Sequence, residues 1–121
     1  MVLLVEDEPA VRSLAALALR RQGYTVLEAT DGEEALQEIQ KHRRDEIQLL
    51  LTDVVMPRMG GRELAQRLKA LIPQMRVLLT SGFSGQTLAP DNQEGLEFPF
   101  LPKPFTRSEL VRKVRAVLDP E

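Results

Sequence analysis

Cysteine is absent from the 121 residues, and histidine occurs once, as His42. Without cysteine the chain can form neither a disulfide framework nor a thiolate metal site, and one histidine excludes a multi-histidine metal site. The absence of cysteine fits a reducing compartment, and we expect a cytoplasmic location. His42 lies in the polar run KHRRDE, which is typical of a solvated helix end.

Long apolar runs and an excess of one charge are also missing. No run approaches the length that spans a bilayer, and the amino terminus reaches EDE within six residues, so we expect no membrane insertion and no signal peptide. With 16 basic and 18 acidic residues the net charge is -2, which gives no field that would collect nucleic acid. The length suits a single domain over residues 1–121.

Short apolar runs instead alternate with longer amphipathic ones. The predicted strands are VLLV (2–5), TVLEA (25–29), IQLLLTD (47–53), RVLLTS (76–81) and LEFPFL (96–101). The predicted helices run from Pro9 to just before Gly23 and over residues 30–43, 62–72 and 106–118. Thr30 with Glu33, and Thr106 with Glu109, have capping-box spacing. Glycines and a proline favour a short helix or mostly loop over residues 82–97.

This alternation predicts an α/β fold. Five strands alternating with helices favour a doubly wound parallel sheet of flavodoxin-like order 2-1-3-4-5, with helices on both faces. Pro99 makes the fifth strand an edge strand. In such sheets ligands bind beyond the carboxyl ends of the strands, where the order reverses between strands 1 and 3.

Acidic, basic and hydroxyl side chains follow the predicted strands at that edge. Glu6 and Asp7 follow strand 1, Asp53 ends strand 3, Ser81 ends strand 4 and Lys103 follows strand 5. Two unit charges about 4 Å apart interact by roughly 4 kcal/mol at an effective dielectric constant of 20, so three carboxylates need compensation. Lys103 neutralises one charge and a divalent cation the other two. Oxygen ligands without histidine or cysteine favour Mg²⁺, with Mn²⁺ as an alternative.

A metal, a lysine and a hydroxyl around one carboxylate are typical of phosphoryl transfer. Asp53 would be the nucleophile and would form an aspartyl phosphate. Each residue alone has a simpler explanation: Asp53 could cap a turn, Ser81 could be a turn residue and Lys103 a surface lysine. Separate strand ends that converge on one edge favour the site. We interpret Glu8 only as a first-turn helix charge.

Four segments together resemble the receiver domain of bacterial two-component signalling. They are LLVEDE, LLLTDVVMPRMGG, VLLTSG and FPFLPKPF, in this order, and the resemblance covers the whole chain. MGGRELAQRL and LLTSGFSG are most similar to receivers fused to hybrid histidine kinases.

The resemblance implies a role for each matching residue. Asp53 would be the phosphoacceptor and Asp7 the direct metal ligand, with Glu6 beside it where the family more usually has aspartate. The backbone carbonyl of Val55 would be the third protein ligand. Lys103 would bind the phosphoryl group and precede a cis bond to Pro104.

The resemblance also implies a switch, a partner and a mode of action. Ser81 would be the switch hydroxyl and Phe100 the switch aromatic. A histidine kinase or phosphotransfer domain would supply the phosphoryl group from phosphohistidine, and fused kinase domains or a homodimer stay open. The domain would not be an enzyme with a diffusible product, although it would promote its own dephosphorylation.

Three alternatives are set against this hypothesis. A metal-dependent phosphohydrolase forming an aspartyl phosphate would be expected to carry a second aspartate two residues after Asp53, where Val55 stands. A flavodoxin-like cofactor module would carry a glycine-rich or hydroxyl-rich loop after strand 1, where this sequence has acid. A degenerate receiver that is never phosphorylated is disfavoured by the complete set of Asp7, Asp53, Ser81 and Lys103.

Overall fold

The computed structural model describes residues 1–56, 58–81 and 98–119, with Ser81 described by its backbone alone. Its strands are β1 (Val2–Val5), β2 (Val26–Ala29), β3 (Leu49–Asp53), β4 (Arg76–Ser81) and β5 (Phe100–Pro102). Its helices are α1 (Pro9–Arg21), α2 (Gly32–Ile39), α3 (Gly61–Leu71) and α4 (Arg107–Leu118), with a short 3-10 helix at Arg44–Glu46. The short helix or loop expected over residues 82–97 lies outside the described residues.

The strands form one parallel sheet in the order β2-β1-β3-β4-β5, so the predicted topology is confirmed. Val5 pairs with Thr52 across β1 and β3, and Asp53 pairs with Thr80 across β3 and β4. These pairings bring the carboxyl ends of the three central strands to the same level. The residues that follow those ends are therefore neighbours at one edge of the sheet.

The sheet separates two hydrophobic clusters, one on each face. β1 and β3 are buried at every position, because alternate side chains enter opposite clusters. Leu50 packs with Leu64 on one face, and Leu51 packs with Leu110 on the other. Full burial of each such side chain contributes about 1.5–3 kcal/mol, so the strand ends that carry the polar edge are held by a rigid core.

The two predicted capping boxes have different outcomes. At α4 the box is confirmed: Glu109 N donates to Thr106 Oγ1 at 3.0 Å and Thr106 N donates to Glu109 Oε1 at 2.8 Å. At α2 the prediction was wrong by one residue, because Asp31 is the N-cap and accepts from Glu34 N at 2.8 Å. Thr30 N instead donates to the Glu34 carboxylate. The short aspartate reaches the helix amides more directly, which moves the start of α2 to Gly32.

Two strand boundaries differ from the sequence pattern. β3 begins at Leu49 rather than at residue 47, and β5 covers Phe100–Pro102 rather than 96–101. Pro99 has no N–H, but its carbonyl accepts from Leu79 N at 2.9 Å. The predicted edge position of the fifth strand is confirmed. None of the helices in the described part of the chain has both the length and the apolar character of a bilayer-crossing segment.

Candidate functional site

Three carboxylates meet at the carboxyl edge of the sheet. Glu6 and Asp7 directly follow β1, and Asp53 is the last residue of β3. One oxygen from each of the three lies within 4.8 Å of the others. Glu6 and Asp53 are buried, whereas Asp7 is exposed. The adjacency of β1 and β3, which no local sequence feature specifies, is what brings these side chains together.

Lys103 lies among these carboxylates. Its Nζ is 2.7 Å from Glu6 Oε1, 3.3 Å from Asp53 Oδ2 and 3.9 Å from Glu8 Oε1. The Lys103 side chain is 9% exposed, so these contacts are screened far less than a surface ion pair. The peptide bond from Lys103 to Pro104 is cis.

The loop after β1 fixes Glu6 from both sides. Glu8 N donates to Glu6 Oε2 at 3.1 Å, so one carboxylate oxygen faces the backbone and the other faces Lys103. Arg12, in the first turns of α1, donates through Nη1 to the Glu6 carbonyl at 2.9 Å. Sequence reasoning missed Arg12 and treated Glu8 as a helix charge. Their position within seven residues of Glu6, at the start of a helix, was the available signal.

Asp53 has one satisfied and one unsatisfied oxygen. Oδ2 accepts from Lys103, while Oδ1 is buried and has no hydrogen-bond partner within the described residues. A buried acceptor without a partner costs about 1–3 kcal/mol, and more when it is charged. An atom that costs so much to leave unpaired is a candidate ligand atom or reacting atom.

Burial dominates the ionisation of the site. It raises the pKa of Asp53 and of Glu6 above their ordinary values, although the charge and hydrogen bonds of Lys103 partly offset this. Asp7 adds to the rise of the Asp53 pKa by repulsion. For Lys103, burial alone would lower the pKa, but the hydrogen bond from Glu6 and the charges of both carboxylates raise it. The lysine therefore stays charged between two carboxylates that are costly to ionise.

The donor atoms fit a hard divalent cation. The cluster offers carboxylate oxygens and, among the described residues that compose it, no nitrogen or sulfur ligand, which suits Mg²⁺ or Mn²⁺. The unpartnered Asp53 Oδ1 is an independent sign that positive charge is wanted there. Val55, whose carbonyl the resemblance implies as a further ligand, is exposed and borders the same cleft.

Gly61 holds the backbone of Asp53 in place. A Cβ on Gly61 would overlap the Asp53 carbonyl oxygen, which is backbone and cannot swing away. Gly61 N also donates to the Val54 carbonyl at 2.8 Å, while Val54 N donates to Thr80 O at 2.7 Å. Sequence reasoning did not single out Gly61. The GG pair before a helix was its only signal, and a glycine pair is more often a turn.

The two residues that the resemblance assigns to a switch lie on the next strands. Ser81 ends β4, where its backbone pairs with Pro102, but its side chain lies outside the described residues. Phe100 is half-buried and packs against the cluster that also contains Leu79 and Val77. The structure therefore places Phe100 beside β4 and leaves the Ser81 hydroxyl without a described position.

An open cleft of about 510 Å³ leads to Asp53. Its polar side is formed by Asp7, Glu8, Asp53 and Lys103, and its apolar side by Val11, Leu14, Val55, Pro104 and Phe105. Val55 is 48% exposed and Leu14 37% exposed. The carboxylate is thus approached over a partly apolar rim.

Asp53→Asn is expected to raise the free energy of unfolding of the metal-free protein at neutral pH by on the order of 1 kcal/mol, because the amide mimics the uncharged carboxyl that burial favours. Folding raises the pKa of Asp53, so its charge is unfavourable only above its unfolded value. The gain should therefore shrink as the pH falls towards about 4. Urea denaturation at both pH values measures it. Asp45→Asn, at an exposed carboxylate, is the control, and an equal gain at both pH values for Asp53→Asn would contradict the explanation.

Comparison with known proteins places this geometry in a family. The family model described as response regulator receiver domain matches residues 2–115. The sensor kinase CckA of Brucella abortus (strain 2308) is 41% identical over 118 residues, which are 98% of this chain but 12% of that kinase. The response regulator receiver protein CpdR of the same organism is 34% identical over 97% of this chain and 95% of its own length.

A solved structure gives the same result. The crystal structure of the receiver domain from hybrid histidine kinase CckA is similar with a TM-score of 0.80 and 38% identity, covering 98% of both chains. The chain therefore matches a whole receiver protein in one relative and a small part of a sensor kinase in another.

Proposed function

This chain belongs to the response regulator receiver domain family, and from that premise we propose that Asp53 accepts a phosphoryl group from a phosphohistidine. The observation that carries the assignment is the state of its carboxylate. Oδ1 is buried without a partner, Oδ2 is bound to Lys103, and a cleft leads from solvent to the residue. A two-component signalling domain needs such an accessible, charge-compensated nucleophile.

The chemistry is a displacement at phosphorus. A carboxylate oxygen of Asp53 forms the new P–O bond as the P–N bond to the donor imidazole breaks, and the imidazole leaves with the bonding electron pair and takes up a proton. Lys103, 3.3 Å from Asp53 Oδ2, is placed to hold a phosphoryl oxygen. The Ser81 hydroxyl is assigned to donate to another.

We assign the metal site to the acidic cluster. Asp7, Asp53 and the Val55 carbonyl would hold Mg²⁺, or Mn²⁺, with Glu6 adjoining, and the ion would supply positive charge to the phosphoryl oxygens. Glu6 is already fixed by Lys103 and by the Glu8 amide, so its main task is to position the lysine. Asp7, being exposed, is free to turn towards the cation.

The switch follows from the same groups. A phosphoryl group on Asp53 would attract the Ser81 hydroxyl through a charge-assisted hydrogen bond. Phe100, half-buried beside β4, would then rotate into the space that the serine leaves. The surface around β5 and α4 changes as a result, and the affinity for a partner shifts by the difference between the two states.

The rim of the cleft suits a protein donor. Val11, Leu14, Pro104 and Phe105 form an apolar border beside the acceptor, and exposed apolar patches of this kind mark protein interaction sites. We assign it to a histidine kinase or phosphotransfer domain, whether separate or fused to this chain, with a homodimer as a further possible assembly. The cytoplasmic location and the single domain over residues 1–121 stay predictions.

The domain is a phosphoacceptor rather than an enzyme that releases a product, although it would promote its own dephosphorylation. The alternative, a phosphohydrolase, needs a proton donor for the leaving group. At the corresponding place the structure has Val55, an exposed aliphatic side chain.

Labelling with a small phosphodonor tests the proposal. With Mg²⁺ and phosphoramidate, intact mass should show one added phosphoryl group per chain, and beryllofluoride with Mg²⁺ should shift the amide resonances of β4 and α4. Both effects should disappear when EDTA removes the cation. Labelling at more than one residue, or labelling that is unchanged by EDTA, would refute the assignment.

A further inference from the structure

A groove between α1 and α4 is bordered by four arginines. Its volume is about 580 Å³, and its basic border consists of Arg21, Arg107, Arg112 and Arg115. Ala18 and Val111 contribute apolar surface between them. Four guanidinium groups around one groove are a strong local concentration of positive charge in a chain whose net charge is -2.

These charges are not balanced within the described part of the chain. None of its ion pairs includes an arginine of this groove, whereas Arg20, Arg58 and Arg67 each pair with a glutamate. The groove therefore presents four guanidinium groups whose donors face solvent.

Helix stability does not explain the cluster. Arg107 is the first residue of α4, where the positive end of the helix dipole disfavours a cation. Arg112 and Arg115 are three residues apart on the same helix, a spacing at which like charges repel. Only Arg21 and Arg115 lie in a last turn, where a cation is favoured. Arg107 and Arg112 thus reduce local stability slightly and require another reason.

The groove continues the apolar rim of the acceptor cleft. Leu14 borders the cleft, Leu17 is 46% exposed, and Arg21 borders the groove, all on α1. Leu14 and Arg21 are seven residues apart, or about 10 Å along the helix. On the opposite side, Phe105 of the cleft is two residues from Arg107. The acceptor site, two exposed leucines and the basic groove therefore form one continuous surface.

We propose that this arginine groove binds an acidic helical segment of the phosphodonor protein. The apolar side chains of that helix cover Leu14 and Leu17 while its carboxylates, one to two turns further along, reach the arginines. The inference rests on the proposed function and adds the charge of the partner. Bidentate guanidinium–carboxylate contacts would fix the register of the donor helix and so place its phosphohistidine over Asp53.

A second copy of this chain fits the groove less well. The acidic residues of α2 are already engaged: Glu33 pairs with Arg58, Glu34 accepts from Thr30, and Glu38 pairs with Lys41. The remaining acidic cluster is committed to Lys103. Nucleic acid would leave the exposed leucines uncovered, and a flat membrane surface would not enter a groove between two helices.

Charge reversal tests the proposal. The variant Arg107→Glu with Arg112→Glu is compared with Arg44→Glu with Arg62→Glu, which changes the net charge equally at exposed arginines elsewhere. The probe is a stapled amphipathic peptide with a leucine stripe and several glutamates, followed by amide chemical shifts at two salt concentrations. A single-stranded oligonucleotide and phosphatidylglycerol vesicles are tested in parallel.

The wild-type chain and the Arg44/Arg62 variant should bind the peptide with resonance shifts at α1 and α4. The Arg107/Arg112 variant should bind about tenfold more weakly, and added salt should narrow the difference. Equal affinities for the two variants, shifts away from α1 and α4, or stronger binding of the oligonucleotide or vesicles would overturn the proposal. Phosphoramidate should label Asp53 equally in all three proteins, and loss of that labelling in the wild type would refute the proposed function instead.

Discussion

Asp53→Asn is expected to abolish the phosphoryl adduct completely. Asparagine has nearly the same shape as aspartate, so it fits beside Lys103 and Gly61 without repacking the loop. Its amide, however, has no anionic oxygen with which to attack phosphorus, and the other carboxylates do not replace it. Glu6 is held by Lys103 and by the Glu8 amide, and Asp7 lies at the exposed end of β1.

Intact mass after incubation with Mg²⁺ and phosphoramidate measures the loss, and Asp45→Asn in the 3-10 helix is the matched control because it removes an exposed carboxylate. The control should be labelled at the wild-type rate. A mass increment that survives in Asp53→Asn would mean that another side chain is the acceptor, and the assignment of the site would then be wrong.

Lys103→Ala is expected to slow phosphoryl transfer about 100-fold, as loss of one preorganised charge at a developing oxyanion commonly does. Its effect on Mg²⁺ affinity should be much smaller, because the acidic ligands remain and a competing cation is gone. Two buried carboxylates, Glu6 and Asp53, lose their partner, so the free energy of unfolding should also fall by about 3 kcal/mol. Transfer rates from phosphoramidate and Mg²⁺ titrations followed by amide resonances separate the two effects.

Two further variants make this comparison specific. Lys103→Arg keeps the positive charge and should retain more stability than Lys103→Ala. Lys41→Ala, at an exposed lysine that pairs only with Glu38, should change neither rate nor affinity. An equal loss of Mg²⁺ affinity and transfer rate in Lys103→Ala would contradict the separation of the lysine from the metal site.

The fold was predictable because its signals are local and repeated. Runs such as VLLV have no polar position, which only a strand covered on both faces requires, and β1 is indeed buried throughout. The boundaries were less predictable because small energetic differences decide them. Asp31 competes with Thr30 for the same helix amides, and Pro99 keeps a carbonyl bond to Leu79 although it lies outside β5.

The site was predictable to the level of which side chains converge, but not how they pair. The strand order places Glu6, Asp53 and Lys103 together. That the shortest contact of Lys103 is to Glu6 rather than Asp53 depends on the length of glutamate and on the Glu8 amide, which are three-dimensional details. Gly61 was not predictable because its role is an avoided overlap with the Asp53 carbonyl. The sequence carries no positive mark for such a contact.

The tight seat of Gly61 beneath the Asp53 carbonyl has a practical use. Any displacement of the acceptor backbone must be felt at the start of α3, since no gap exists to absorb it. Because the chain contains no cysteine, a lone thiol introduced as Arg62→Cys, on the exposed side of that helix start, would carry a fluorophore in a single defined place. The domain could thereby be converted into an optical reporter of its own signalling state.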